Sequence, residues 1–284
     1  KMKKILIKNS KYSILQAILS AILMLAAIPI FIKTLGSEEY GIFALVVVVG
    51  SLNTFTNLGL ASALVKFIAV QGKTKESNID IWVNFTIVGA VSFPLTIVAF
   101  YFDQFILLDL LKIPMHLLDE ARLLYYWILA ASFLLLIGQI FKSIIDALQK
   151  VHVTTLHQIF HTLLYWGLMI LVLLLDKGLS EIGFSIFIAA SIWLLISIIS
   201  TFKIYGTIPF SGFISGFKHS AKKQLTYGLK IYSGGLINFL YEPLSKILLS
   251  HFFGVKEVGY FDIALRLKGQ VLGIISKVFY PLFP

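Results

Sequence analysis

Long uninterrupted runs of apolar residues constrain the fold of this chain more than any other feature of its sequence. Stretches such as AILMLAAIPIFI (21–32) and LMILVLLL (168–175) show no alternation of polar and apolar side chains. About 20 such residues in a helix cover a hydrocarbon core of ~30 Å, whereas the strands of a membrane barrel alternate. The runs therefore predict an all-α, polytopic membrane helical bundle.

The overall composition supports this prediction. Hydrophobic residues make up 58% and charged residues 13% of the 284 residues, whereas a soluble domain carries about 25% charged residues. A soluble chain this apolar would leave large apolar patches in water. We expect eight spans, which cover roughly residues 12–32, 40–65, 81–102, 123–147, 154–175, 182–205, 231–253 and 258–282.

The basic residues are distributed unevenly between the two sides of the predicted bundle. More than twice as many lysines and arginines fall at the N-terminus and in the even-numbered connections as in the odd-numbered ones. Because cytoplasmic loops carry an excess of Lys and Arg, we expect a multi-pass protein of the inner (cytoplasmic) membrane with a cytoplasmic N-terminus. The net charge of +10 comes mainly from lysines at span ends, which favours membrane lipids over nucleic acid as partners.

The sequence gives no indication of a metal or cofactor. The chain contains no cysteine, which excludes disulfides and cysteine-based metal sites. His157 and His161 are four residues apart, a spacing that can bind zinc, but no acidic third ligand lies near them in the sequence. We therefore expect neither a metal nor a cofactor.

A short polar motif occurs twice between apolar runs. Residues 33–45 read KTLGSEEYGIFAL and residues 251–264 read HFFGVKEVGYFDIA, so that two glycines, a glutamate and a phenylalanine recur 218 positions later. We call these segments the first and second glycine turns. An even number of predicted spans separates them, so both should lie on the same face of the membrane, as in a parallel repeat.

The repeat predicts how the chain is organised into lobes. We expect an N-terminal six-helix transmembrane lobe (1–205), a cytoplasmic inter-lobe linker (206–229) and the first two helices of a second lobe (230–284). By this correspondence residue 284 matches Lys66, at the end of span two, so we expect the second lobe to be truncated.

The residues around both turns carry a family resemblance. FIKTLGSEEYGIFALV (31–46), followed by TNLGLASALVKF (56–67), resembles the first helical hairpin of the polysaccharide (O-antigen type) flippases. NFLYEPLSKILLSHFFGVKEVGYFDIALRL (238–267) is similar to the seventh and eighth helices of that family, which belongs to the multidrug/oligosaccharidyl-lipid/polysaccharide exporter superfamily. The resemblance implies a V-shaped, alternating-access transporter that moves an undecaprenyl-diphosphate-linked oligosaccharide from the inner to the outer leaflet.

Glu242 is the most central acidic residue in a predicted span. An ionisable group at this depth costs about 2.5–3.5 kcal/mol or more, so it normally faces a cavity or a partner. Pro243 follows it, and Lys246 lies one helical turn further on. Two interpretations stay open: a self-neutralising Glu242–Lys246 pair beside a kink, or a site for a coupling proton or cation.

Two basic residues, Arg266 and Lys268, lie in the last predicted span. Facing a cavity, they could bind a diphosphate, for which the guanidinium fork is well suited. Alternatively, Asp262 neutralises Arg266 from one turn earlier, and Lys268 extends to the membrane interface.

Span two contains further candidates for substrate binding. Asn53 and Asn57 share a helix face and could hydrogen-bond sugar hydroxyls, or could instead join neighbouring helices. Lys66 at the end of that span could attract an anionic headgroup or simply extend to the interface.

Other functions remain open at this stage. A multidrug or small-cation exporter shares the superfamily fold, but more cationic than acidic groups lie at depth, which argues against a cationic substrate. A membrane-embedded, polyprenol-dependent glycosyltransferase or polymerase needs paired acids or a metal site, and no such pattern occurs with convincing spacing. A scaffold without transport activity is the fourth interpretation. We therefore predict a transporter and not an enzyme.

Overall fold

The computed structural model describes residues 2–52 and 56–279. Over these segments it forms eight α-helices and no β-strand, which confirms the predicted all-α class. The helices are α1 (Met2–Leu52), α2 (Leu60–Gln71), α3 (Lys75–Tyr101), α4 (Leu118–Ala147), α5 (Val151–Leu174), α6 (Leu179–Tyr205), α7 (Phe213–Phe253) and α8 (Val255–Phe279). Short helical turns at Phe105–Leu110 and Met115–Leu117 connect α3 to α4.

Five stretches of the described chain are long and apolar enough to cross a membrane, which makes this a multi-pass membrane protein. They are Tyr12–Ser51, Lys75–Tyr101, Met115–Ala147, Val151–Leu174 and Leu179–Tyr205. The first contains 40 residues, or about 60 Å of helix, which is twice the thickness of a bilayer core. The ring centres of Phe31 and Phe43 lie only 5.2 Å apart, which shows that α1 folds back on itself within this stretch.

The reversal in α1 occurs at Gly36, and the same geometry recurs between α7 and α8. Gly36 has φ 88° and ψ 172°, and Gly254 has φ 94° and ψ 169°. Positive φ in this range is readily available only to glycine. The two glycine turns therefore share a backbone conformation as well as a sequence pattern.

The two glycine turns pack directly against each other. A Cβ atom added to Gly41 would lie 1.9 Å from the carbonyl oxygen of Val255, and one added to Gly259 would lie 3.1 Å from the carbonyl oxygen of Ser37. Ser37 and Val255 are themselves 218 positions apart. Such a reciprocal contact is typical of two like surfaces related by a two-fold axis, so both turns lie at the same end of the bundle.

The sequence predicts span two as one helix over 40–65, but the structure divides it into two helices. α1 ends at Leu52 and α2 begins at Leu60, with positive φ at Leu58 and Gly59 between them. α7 crosses the chain at this point, where a Cβ on Gly59 would lie 2.3 Å from the carbonyl oxygen of Gly228. The sequence pattern predicted a single span despite the polar residues near its middle and did not reveal this close approach, which the break in the helix accommodates.

The core of the bundle surrounds α4, which packs against α1, α2, α3 and α6. Apolar side chains from α1, α4, α5 and α6 fill it, as with Phe31, Leu45, Leu124, Met169 and Ile182, all at most 1% exposed. α8 packs mainly against α1. This packing attaches the predicted second lobe to the first one through the glycine turns.

The predicted linker is partly helical. α6 ends at Tyr205, residues 206–212 are not helical, and α7 runs from Phe213 through the rest of the linker into the predicted seventh span. The lobe boundaries themselves stay a prediction.

We expect the substitution Gly41→Ala to destabilise the protein by about 1–3 kcal/mol, because the added methyl group would overlap the backbone of Val255. An exposed helical glycine replaced by alanine normally gains about 0.8–1 kcal/mol instead. Gly167→Ala in α5 is the matched control, since no atom lies within 4 Å of its added Cβ. Thermal unfolding of the purified protein in detergent measures both, and equal unfolding temperatures for the two variants would contradict the packing of the turns.

Candidate functional site

A cluster of four charged side chains lies where α1, α7 and α8 meet. Lys246 is only 1% exposed, and its Nζ donates to Glu242 Oε1 and to Asp262 Oδ1, each at 2.6 Å. Asp262 Oδ2 accepts from Arg266 Nε at 2.6 Å and from the hydroxyl of Tyr40 at 2.7 Å. We call Tyr40, Glu242, Lys246, Asp262 and Arg266 the charged cluster.

Helix geometry explains how each half of the charged cluster forms. Glu242 and Lys246 are four residues apart on α7, and Asp262 and Arg266 are four residues apart on α8, so each pair shares a helix face. The glycine turn between the helices brings the two faces together, and Asp262 joins them. Tyr40 reaches Asp262 because the first glycine turn packs against the second.

The charges in this cluster balance. Two carboxylates face two cations, and fully buried Asp262 receives three hydrogen bonds. Removing one partner from such a buried arrangement would leave an uncompensated charge, which costs several kcal/mol. Of the interpretations that the sequence left open, the intrahelical Glu242–Lys246 pair and the neutralisation of Arg266 by Asp262 are therefore both present.

The charged cluster borders a cavity of about 250 Å³. Its walls include Glu242, Pro243, Lys246 and Arg266, together with Val47, Val48 and Ser51 of α1. The side chain of Glu242 is 52% exposed and that of Arg266 is 21% exposed. Both thus face open space inside the protein, and Glu242 is the more accessible group.

The other predicted site residues are elsewhere. Lys268 is exposed, and it forms no ion pair with any residue that the structure describes. Asn53 lies outside the described residues. The structure therefore does not bring Lys268 into the charged cluster.

Asn57 lines a second and larger cavity, of about 440 Å³, inside the first six helices. Gln139, Gln158, His161 and Trp193 also line it. Asn57 Oδ1 accepts a hydrogen bond of 2.9 Å from the amide of Ala61. It thereby satisfies one of the free backbone donors in the first turn of α2.

Lys66 lies in a third location, a groove between α2 and α7 at the end of the bundle away from the glycine turns. The groove measures about 470 Å³ and also contains Lys222, Lys223, Lys230 and His219. Lys66 Nζ lies 3.8 Å from the centre of the Tyr227 ring, and Lys223 forms an ion pair of 2.7 Å with buried Asp80. The groove is therefore strongly basic.

Sequence reasoning missed several residues of these sites. It identified both intrahelical pairs but not the contact between Lys246 and Asp262, which joins different helices. Gln139 and Gln158 are recognisable in the sequence as amides within apolar runs. They are far apart along the chain, so the sequence did not indicate that they line one cavity. Among the described residues, no group of three His, Asp or Glu side chains could bind a metal ion, and His157 instead pairs with Ser200 at 3.0 Å.

Comparison with known proteins connects this architecture to a family. A family model described as "Polysaccharide biosynthesis protein" matches residues 6–284, which confirms the resemblance carried by the glycine turns. No curated protein matches the chain.

Two solved structures have a similar fold. One is named "protein A", with a TM-score of 0.71 and 17% identity. The other is the MATE multidrug transporter DinF-BH, solved as a complex, with a TM-score of 0.69 and 16% identity. Each similarity covers 98% of this chain and 64% of the other chain, so the sequence spans less than two thirds of either structure.

We expect Asp262→Asn to destabilise the protein by about 3–5 kcal/mol, because Lys246 and Arg266 would lose their shared carboxylate. Adding Lys246→Met should restore part of this loss, since fewer cations then lack a partner. Asp119→Asn is the control: its side chain is 98% exposed, so the change should stay within about 1 kcal/mol. Thermal unfolding in detergent gives all three values, and an Asp262→Asn variant as stable as wild type would show that the cluster is not charged as described.

Proposed function

Since the chain belongs to the polysaccharide biosynthesis protein family, we propose that it forms part of a flippase for a lipid-diphosphate-linked oligosaccharide. The protein moves an undecaprenyl-diphosphate-linked glycan from the inner to the outer leaflet by alternating access, for the synthesis of surface polysaccharide. It is a transporter and not an enzyme. It resides in the cytoplasmic membrane with its N-terminus in the cytoplasm, as the basic residues indicate.

One observation carries this proposal: two cations, Lys246 and Arg266, lie beside a cavity between the two repeats and are held there by carboxylates. A diphosphate offers the same kind of oxygen acceptor as a carboxylate, and guanidinium and ammonium groups bind both. Because buried charges must stay paired, an incoming diphosphate can take over the cation that a displaced carboxylate leaves. The site is therefore suited to exchange of anions.

Glu242 is the carboxylate that a diphosphate displaces in this mechanism. Its side chain is half exposed and its described ion pair is with Lys246 alone, whereas Asp262 is fully buried with three partners. The displaced Glu242 then takes up a coupling proton or cation. When the substrate leaves, Glu242 releases that proton or cation and pairs with Lys246 again, which returns the cavity to a neutral state.

The basic groove at Lys66 supplies the approach to this cavity. The positive-inside rule places this end of the bundle in the cytoplasm, and each basic residue near an anionic membrane surface contributes about 1 kcal/mol of attraction. Lys66 and its neighbours therefore concentrate anionic headgroups at the leaflet from which transport begins. Lys268 is exposed on α8 and lies outside this groove.

A multidrug exporter is the main competing function. The fold is shared with a structure titled as a multidrug transporter, but at 16% identity the likeness shows the fold alone. A cationic drug in the cavity of the charged cluster would meet Lys246 and Arg266 as well as the carboxylates. An anionic substrate instead takes the place of Glu242 on Lys246, with Arg266 beside it in the same cavity.

The decisive experiment measures leaflet-resolved transport of a fluorescent lipid-diphosphate sugar in liposomes that contain the full-length protein. Arg266→Ala should reduce flux about 10- to 100-fold, as expected for loss of a charge-assisted hydrogen bond worth about 1.5–3 kcal/mol. Glu242→Gln should remove the response of flux to an imposed pH gradient. Lys177→Ala, at an exposed position between α5 and α6, is the control and should transport normally.

Two results would count against the proposal. Unchanged flux in Arg266→Ala and Glu242→Gln would remove the site assignment while leaving the transport function. No flux of any polyprenyl-diphosphate substrate, together with efflux of cationic drugs, would instead favour the multidrug exporter.

A further inference from the structure

The cavity that Asn57 lines differs in chemistry from the charged cluster. Its polar lining consists of three amides and an imidazole, and no Lys, Arg, Asp or Glu side chain belongs to the lining that the structure describes. The residues come from separate elements: Asn57 precedes α2, Gln139 is on α4, Gln158 and His161 are on α5, and Trp193 is on α6. The fold thus gathers neutral hydrogen-bonding groups in one place.

The two glutamines have unused hydrogen-bonding capacity. Within the described part of the chain, neither the Gln139 nor the Gln158 side chain forms a hydrogen bond, although both are half-buried in spans. An amide in an apolar environment without a partner costs about 1–3 kcal/mol. The two amides line one cavity with their polar groups accessible, so a polar occupant of the cavity can pair with both.

An aromatic wall completes the cavity. Trp193 is 4% exposed, and its ring packs so closely on α4 that a Cβ added to Gly138 would lie 2.2 Å from Trp193 Cζ3. The ring of His161 lies 5.8 Å from that of Trp193. Gly138 thereby allows the tryptophan ring to pack directly against α4 at the side of the cavity.

These features together identify a class of ligand. An amide offers both donors and an acceptor, which matches a hydroxyl group, itself a donor and an acceptor. A volume of about 440 Å³ falls in the usual range for small-molecule pockets of about 300–1,000 Å³. The uncharged lining gives an ionic ligand no partner of opposite charge.

We propose that this cavity binds a neutral sugar residue of the transported glycan through Gln139, Gln158 and Asn57, and so determines which glycan is carried. This inference rests on the proposed flippase function. It assigns the two parts of the substrate to separate places, with the diphosphate at the charged cluster and the sugar inside the first six helices.

Equilibrium binding to the full-length protein in nanodiscs tests the proposal. The probes are undecaprenyl diphosphate alone and the same lipid linked to N-acetylglucosamine, glucose or galactose. Wild type should bind at least one sugar-bearing probe about tenfold or more tightly than the sugar-free lipid. Gln139→Met/Gln158→Met should reduce that preference to less than about threefold and leave affinity for the sugar-free lipid unchanged.

A stability measurement separates recognition from a structural role. Methionine has nearly the shape of glutamine without its polar group, and replacing an unsatisfied amide by an apolar group is neutral or stabilising. The double variant should therefore unfold at the wild-type temperature or above. Gln224→Met is the matched control: fully buried Gln224 hydrogen-bonds Asp80, Ser220 and Asn84, so this variant should unfold at a lower temperature.

The possible failures are distinguishable. If the sugar-free lipid binds but no sugar increases affinity, or if the double variant keeps the preference, the cavity holds only ordered water and this inference is wrong. If none of the four probes binds to wild type, the proposed function and this inference both fail.

Discussion

The close backbone contact between the two glycine turns is the constraint on which the rest of the structure depends. Helices in a bilayer gain little from burying apolar side chains against each other, because lipid is equally apolar, so they rely on close packing of small residues. Gly41 allows the first turn to approach the carbonyl group of Val255, and Gly259 allows the second turn to approach that of Ser37. Tyr40, one residue before Gly41, donates to Asp262. The packing of the two glycine turns therefore also assembles the charged cluster.

The charged cluster also shows how a membrane protein can keep cations buried within its helices. Asp262 is the central partner, and Glu242 is the outer and more accessible one. A cluster in which every charge is matched is stable without a ligand, and a second anion can enter only by exchange. This property makes a balanced cluster more suitable for a cycle of binding and release than an isolated pair of cations, which would retain an anion tightly or would not stay buried.

Different polar groups occupy different places in this molecule. Matched charges lie between α1, α7 and α8, neutral amides line a cavity within the first six helices, and excess lysines lie in the groove at the far end. A lipid-diphosphate glycan has an anionic part and a neutral hydroxyl-rich part, and the proposed assignments give each part a separate environment.

The sequence by itself determined the features that depend on neighbours along the chain. The apolar runs predicted the helices, the recurring glycines predicted the two like turns, and four-residue spacing predicted the pairs Glu242–Lys246 and Asp262–Arg266. Helical periodicity defines which residues share a face of their own helix. Only the tertiary structure decided which faces meet: it brings Lys246 to Asp262 and Gly59 to Gly228, and it places Gln139 and Gln158 on the walls of one cavity. Contacts between helices depend on the packing of whole surfaces, and no spacing within a single helix encodes them.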